Sequence, residues 1–243
     1  MGSELLLLSN STVHGMTYLE HAMSAIQEFL GDIRKVYFAP YALADYDDYT
    51  AKAQTVFEPL GISLVGLHTQ EKPQEALKEA KALFVGGGNS FRLLKSLQQL
   101  NLLEVVRQRV EAGALRYMGS SAGTNMACPT LRTTNDMPIV QPDSFASFGL
   151  IPFQINPHYI EPDPRLVYMG ETRKDRLEQF LEENDVAILG MREGAWLRRS
   201  GQKLYLNGTV GARLFRRQQE SVEIEAGTDL SWLLDLPARF DQK

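Results

Sequence analysis

The stretch Leu115-Arg116-Tyr117-Met118-Gly119-Ser120-Ser121-Ala122-Gly123-Thr124-Asn125-Met126-Ala127-Cys128 constrains the fold of this chain more than any other. It opens as a short strand-like run, bends through residues 119–123, and continues with small and apolar residues at helical spacing. Gly-x-Ser-x-Gly between a strand and a helix makes a sharp elbow, because the flanking glycines tolerate a backbone bent far enough to leave the central side chain exposed. Ser121 is therefore a candidate nucleophile. A Gly/Ser-rich turn that merely connects a strand to a helix reads the same way, so the surrounding chain has to decide.

That surrounding chain alternates apolar runs with segments of helical period, the pattern of a parallel sheet covered by helices on both faces. Strands are predicted at 4–9, 35–39, 63–66 and 82–85, and helices at 18–30, 49–60, 74–80, 91–98 and 102–112. The helix over 18–30 rests on an apolar stripe of Leu19, Ala22, Met23, Ile26 and Leu30. Beyond the elbow, Cys128-Pro129 and Met137-Pro138 interrupt any helix, so 130–148 reads as an irregular excursion. A strand at 153–156, a helix at 173–182 and a strand at 186–191 follow. Short strands at 195–200, 203–206, 212–216 and 222–225, separated by Gly-bearing turns, suggest an antiparallel extension of the same sheet, and the tail from Thr228 holds one short helix. The expected fold is α/β, a doubly wound, mostly parallel sheet with a C-terminal antiparallel extension, in one domain over 1–243.

Composition narrows the partners. A net charge of -5 from 25 basic and 30 acidic residues, evenly spread, argues against a nucleic-acid surface, and an acidic substrate would need a local basic anchor. Cys128 is the single cysteine, which excludes an internal disulfide and a cysteine-based zinc site and fits a reducing compartment. Leu5-Leu6-Leu7-Leu8 lacks a basic flank and is far too short for a signal peptide or a membrane span. The reading is a cytoplasmic protein that uses no cofactor or metal and acts on a small molecule; a homodimer is left open.

In an open parallel sheet, ligands sit beyond the carboxyl ends of the strands. Gly86-Gly87-Gly88-Asn89 follows the fourth strand, Ser121 the fifth, and His158 the short strand after the excursion. The triple glycine offers unobstructed N–H groups, and one of them with the N–H of Ala122 could hold the oxyanion of a tetrahedral intermediate. No Gly-Lys-Ser/Thr follows, so a phosphate cradle is the weaker reading. Of His14, His21, His68 and His158, the last is the candidate base, held by Pro157 in Asn156-Pro157-His158-Tyr159. Two carboxylates compete to orient its imidazole: Glu193, beyond the strand 186–191, and Asp136, in the excursion. The residues alone leave this open.

With these residues assembled, the chain closely resembles peptidase E, the α-aspartyl dipeptidase family of serine peptidases. The resemblance runs from Glu4 to about Trp196. It is carried by Leu5-Leu6-Leu7-Leu8-Ser9-Asn10-Ser11, Val85-Gly86-Gly87-Gly88-Asn89, Ser121-Ala122-Gly123, Gln154-Ile155-Asn156-Pro157-His158 and Gly170-Glu171-Thr172-Arg173. Its most specific part is Cys128-Pro129-Thr130-Leu131-Arg132-Thr133-Thr134-Asn135-Asp136-Met137-Pro138-Ile139-Val140. It implies a sheet like that of class I glutamine amidotransferases and cleavage of dipeptides with an N-terminal aspartate. Carried over, Ser121 is nucleophile, His158 base, and Gly88 and Ala122 the oxyanion hole. Asp136 or Glu193 is the orienting acid, tipped toward Asp136 by its place in the most specific string.

For that substrate, Arg173 suits a buried β-carboxylate, with Arg132 or donors near Asn89 as alternatives, and Glu171 or a carbonyl would accept from the α-ammonium. Position 120, often aromatic in bacterial members, is Ser here, a change expected to alter pocket shape, and the tail after Gly227 is longer than the resemblance implies. A cyanophycinase-like peptidase, a small-molecule esterase and an inert binding module of the same fold are the competing readings.

Overall fold

The computed structural model describes residues 2–162 and 170–242. Apolar residues alternate between two faces along each central strand, and this alternation builds the molecule in layers. In β1 (Glu4–Leu8), Leu5 and Leu7 enter one core while Leu6 and Leu8 enter another. In β2 (Lys35–Ala39), Tyr37 and Ala39 part from Val36 and Phe38, and in β4 (Ala82–Val85), Leu83 and Val85 part from Ala82 and Phe84. One face is covered by α1 (Met23–Leu30) and α2 (Tyr46–Phe57), through Ile26, Phe29, Ala53 and Phe57. The opposite face is covered by α3 (Pro73–Glu79), α4 (Ser90–Gln99) and α5 (Leu102–Glu111), through Leu77, Leu93, Leu97 and Val106.

The larger sheet has seven strands in the order β3-β2-β4-β5-β1-β8-β9. β3 (Ser63–Gly66), β2, β4, β5 (Arg116–Ser120) and β1 run parallel. β8 (Ala195–Ser200) and β9 (Lys203–Gly208) extend the β1 edge antiparallel. A four-stranded sheet, β11-β10-β7-β6, packs beside it. Here β6 (Gln154–Asn156) and β7 (Ile188–Met191) are parallel, and β10 (Ala212–Phe215) and β11 (Val222–Ile224) continue antiparallel. Ile155, Leu189 and Leu214 face the core shared with the larger sheet, whereas Ile188 and Phe215 meet Leu177 and Leu181 of α7 (Arg173–Glu183) on the far side.

The mostly parallel sheet and its antiparallel extension are as expected, with one correction: the extension is divided. β8 and β9 join the larger sheet, while β6, β7, β10 and β11 form their own. Strand periodicity cannot reveal this, because a strand buried on both faces, as β7 is, fits the centre of either sheet. The chain passes from one sheet to the other between Met191 and Ala195, and Glu193 lies on that crossing. The helix expected over 18–30 is also shorter. Leu19 takes a left-handed φ of 61° and regular helix begins at Met23, although Leu19, Ala22, Ile26 and Leu30 are all buried.

The excursion holds no helix or regular strand among the described residues, only a bridge between Thr130 and Ala146. Side chains pin it to β6 and the loop beyond. The Thr133 hydroxyl donates to the Ile155 carbonyl at 2.9 Å, the Asn156 amide to the Thr133 carbonyl at 2.8 Å, and the Asn135 amide to the Pro157 carbonyl at 2.7 Å.

Candidate active site

At the end of β5 the chain turns at Ser121 with φ 52° and ψ -111° and enters α6 (Ala122–Met126). A non-glycine residue at positive φ costs about 1–3 kcal/mol and persists only where its surroundings over-determine it. Here the Ser121 N–H donates to the Leu8 carbonyl at 3.1 Å, and the Ser121 carbonyl accepts from Thr124 at 2.8 Å and Asn125 at 3.0 Å. Gly123 packs so tightly against β4 that a Cβ there would sit 2.0 Å from the Val85 carbonyl oxygen. The elbow thus needs its second glycine for close approach.

The Ser121 hydroxyl lies 2.8 Å from His158 Nε2, and His158 Nδ1 lies 2.6 Å from Glu193 Oε1. Hydroxyl, imidazole and carboxylate form one line of hydrogen bonds, drawn from the ends of β5, β6 and β7. With Nδ1–H donating to the carboxylate, Nε2 is left as an acceptor facing the hydroxyl, the arrangement a general base requires.

Asp136 is not brought to the imidazole. Its Oδ2 accepts from the Ser90 N–H and contacts the Ser90 hydroxyl, both at 2.7 Å. Placed at the start of α4, the carboxylate satisfies a helix-terminal N–H and meets the positive end of the helix dipole. The structure sets the carboxylate of Glu193, and not that of Asp136, against the imidazole.

The turn after β4 runs beside Ser121. A Cβ on Gly87 would lie 3.1 Å from Ser121 Cβ, and the Gly87 N–H donates to the Tyr49 hydroxyl at 2.9 Å. Gly88 has φ 132°, and a side chain there would meet the Ala42 carbonyl oxygen at 2.7 Å, so this position requires glycine. The N–H groups of Gly88 and Ala122 have no protein acceptor among the described residues.

Arg173 begins α7, half-buried, with its guanidinium 3.4 Å from the carbonyl of Pro157, the residue before His158. Burial chiefly, and Arg176 next, lower its pKa, while the Glu193 charge opposes them. The other substrate candidates are engaged elsewhere. Asn89 caps α4, its Oδ1 accepting from the Arg92 N–H at 3.0 Å and its Nδ2 donating to the Met137 carbonyl at 2.9 Å, while its own N–H is bound to the Ala42 carbonyl at 3.0 Å. Glu171 is exposed, accepts from Gln179 at 3.2 Å and pairs with Arg176 at 3.7 Å. Arg132 binds Asp241 at 2.7 Å, with its guanidinium 4.9 Å from the Phe240 ring centre, and so clasps the tail. Ser120 is fully buried and its hydroxyl has no partner among the described residues.

Residues 5–207 match the model of peptidase family S51. The chain belongs to this family. It is 55% identical to peptidase E of Streptomyces coelicolor, over 98% of this chain and 97% of that protein. It is 45% identical to a probable alpha-aspartyl dipeptidase of Drosophila melanogaster, over 95% of this chain and 97% of that one. Among solved structures, a peptidase from an acI-B1 actinobacterium superposes with a TM-score of 0.70 at 14% identity, over 95% of this chain and 97% of that one. A putative peptidase E protein from Listeria monocytogenes superposes at 0.65 and 19% identity, over 86% and 99%. At these identities the two structures speak for the fold.

Three residues near the site escape a reading of the sequence. Tyr49, which holds the Gly87 N–H, looks like one more apolar residue of an amphipathic helix. Ser9 and Asn10 come just after β1, where the rule that ligands gather at the carboxyl ends of strands could have drawn attention to them.

Proposed function

We propose that this member of peptidase family S51 is a serine-type dipeptidase that hydrolyses dipeptides carrying a free N-terminal aspartate, through an acyl-enzyme on Ser121. The observation that carries the proposal is the line of hydrogen bonds from the Ser121 hydroxyl through His158 to Glu193, at 2.8 and 2.6 Å. His158 Nε2 takes the hydroxyl proton as Ser121 Oγ attacks the scissile carbonyl carbon. The carbonyl oxygen becomes an oxyanion received by the Gly88 and Ala122 N–H groups. Collapse expels the amine of the second residue, which leaves with the proton from His158. Water then attacks the aspartyl ester, giving its proton to His158, and free aspartate departs as the proton returns to Ser121. Glu193 holds the imidazole tautomer and steadies its cation throughout.

Substrate choice falls to Arg173. A guanidinium kept partly out of water beside the base can pair with a β-carboxylate, and the forked donors match its two oxygens. The kinship with a probable alpha-aspartyl dipeptidase at 45% identity supports the same choice. An esterase would have no use for this cation, and an inert binding module none for the aligned relay. We place the enzyme in the cytoplasm, a reducing compartment that suits a chain whose single cysteine forms no disulfide. The test is hydrolysis of Asp-Leu beside N-acetyl-Asp-Leu, Asn-Leu and Glu-Leu. Cleavage of Asp-Leu alone or by far the fastest is expected, and equal cleavage of Asn-Leu would refute the role given to charge.

A further inference from the structure

The relay joins two sheets. Ser121 follows β5 of the larger sheet, whereas His158 and Glu193 follow β6 and β7 of the smaller one. Hydrogen bonds between groups on separate layers keep their lengths only if some piece of chain fixes one layer to the other, because even small displacements are costly at a reacting centre. The last residues of β1 and those just beyond it are that piece. β1 lies between β5 and β8, and its Leu8 carbonyl accepts both the Ser121 N–H at 3.1 Å and the Thr124 hydroxyl at 2.6 Å. The Ser9 hydroxyl donates to the Met191 carbonyl at 2.8 Å and accepts from the His158 N–H at 2.9 Å. The Asn10 side-chain oxygen accepts from the N–H of Gly194, the residue after Glu193, at 2.9 Å.

Three consecutive residues thus touch the backbone at or beside each member of the relay. His158 itself has a φ of 54°, a conformation that needs support from its neighbours. The Tyr159 N–H donates to the same Met191 carbonyl at 2.9 Å, which ties the base-bearing loop to the end of β7, and the Ser9 hydroxyl ties that pair to the larger sheet. Ser9 and Asn10 are buried, at 0% and 1% exposure, so water cannot readily take over their bonds. A hydroxyl suits the position because one small group both gives and takes a hydrogen bond.

We infer that Ser9 is a positioning residue: its hydroxyl sets the backbone of His158 against the end of β7 and so fixes the imidazole between Ser121 and Glu193, with Asn10 steadying the turn on the acid's side. The inference rests on the reading of Ser121, His158 and Glu193 as the catalytic relay. The test compares Ser9→Ala with the parent for kcat and KM on Asp-Leu, thermal stability, and the downfield proton NMR signal of His158 Nδ1–H, assigned by its absence from His158→Ala. Ser9→Ala is expected to lose about 10- to 100-fold in kcat, with KM within about threefold and the signal broadened or lost, while circular dichroism shows it folded at the assay temperature. A Ser9→Ala enzyme that keeps the parental kcat and the signal, even with a lowered Tm, would overturn the inference. Should Ser9→Ala not fold, Asn10→Ala must show the same pattern, and parental kcat and signal in Asn10→Ala would overturn it equally. Full turnover by His158→Ala would instead strike down the catalytic reading itself.

Discussion

Replacing Glu193 by Gln keeps shape and removes charge, which makes it the sharpest probe of how His158 is held. The carboxylate accepts from Nδ1 at 2.6 Å, a charge-assisted bond. An amide can offer its oxygen to the same N–H without the charge, or turn its NH2 toward Nδ1. In the second case the ring proton moves to Nε2, which can no longer take a proton from the Ser121 hydroxyl. Where such a carboxylate is fully buried the loss is about 10⁴ in kcat. Here the imidazole and carboxylate side chains are 35% and 50% exposed, so water both screens the lost charge and competes for the bond. A loss of about 10² to 10³ in kcat follows, equivalent to about 3–4 kcal/mol of transition-state stabilisation. Asp136→Asn behaves differently. The amide oxygen can still accept from the Ser90 N–H, and the lost interaction with the start of α4 is worth about 0.3–1 kcal/mol. Its kcat should stay within about tenfold of the parent, with Tm lower by about 1–4 °C. Steady-state kinetics on Asp-Leu together with thermal unfolding of both variants decides the matter. The reverse ranking, or two equal and mild effects, would refute the assignment of Glu193 as the orienting acid.

Arg173→Ala should lower kcat/KM for Asp-Leu by about 10²- to 10⁴-fold, as expected for a desolvated ion pair that loses one partner, and should erase most of the preference over Asn-Leu; an unchanged preference would assign the carboxylate to another donor. Gly87→Ala places a methyl 3.1 Å from Ser121 Cβ and 3.2 Å from the Ser120 carbonyl oxygen and should cost about 10- to 100-fold in kcat together with a lowered Tm, read by kinetics and unfolding side by side. Tyr49→Phe strips the Gly87 N–H of its buried acceptor and should cost about 1–3 kcal/mol of stability in denaturant unfolding. Burial pushes the Cys128 thiol up to about 12, so a thiol reagent at pH 8 should leave native protein unlabelled and react on unfolding. The unfolded thiol ionises from its ordinary value of 9.0, so the stability tied to its burial is whole below that pH and is lost as pH rises toward 12. Cys128→Ala should make the decline shallower chiefly between pH 9 and 10, before the buried tyrosines Tyr18, Tyr41, Tyr49, Tyr117 and Tyr159, whose ordinary value is 10.0, add their own.

The parallel layers were legible because local residues encode them: Leu5 to Leu8 and Ala82 to Val85 can be little else than buried strands. Helix starts were blurred where a polar cap does the deciding. α2 begins at Tyr46 because Asp45 accepts the Asp48 N–H, and α4 at Ser90 because Asn89 accepts that of Arg92, both ahead of the apolar stripe. The division of the C-terminal strands between two sheets was hidden, since pairing partners are chosen by contacts distant in sequence. The turn at Ser121 and the place of His158 beyond a strand end were legible from the glycines and the proline, whereas the residues did not show which carboxylate, Glu193 or Asp136, would meet the imidazole. That choice turns on a crossing between sheets that brings Glu193 to a histidine 35 positions earlier, while Asp136 finds Ser90, 46 positions earlier. Ser9 escaped notice because its partners, His158 and Met191, are 149 and 182 positions away.

The measurement that bears most directly on the whole account is turnover of Asp-Leu by Ser121→Ala and Ser120→Ala, each shown to be folded by circular dichroism. Loss of the Ser121 hydroxyl removes the attacking atom itself, so kcat should fall by about 10³-fold or more. Ser120 is buried with an unpartnered hydroxyl, so its removal should leave kcat within about tenfold and stability unharmed. An enzyme that keeps its activity as Ser121→Ala, or loses it as Ser120→Ala, would contradict the elbow, the relay and the acyl-enzyme together.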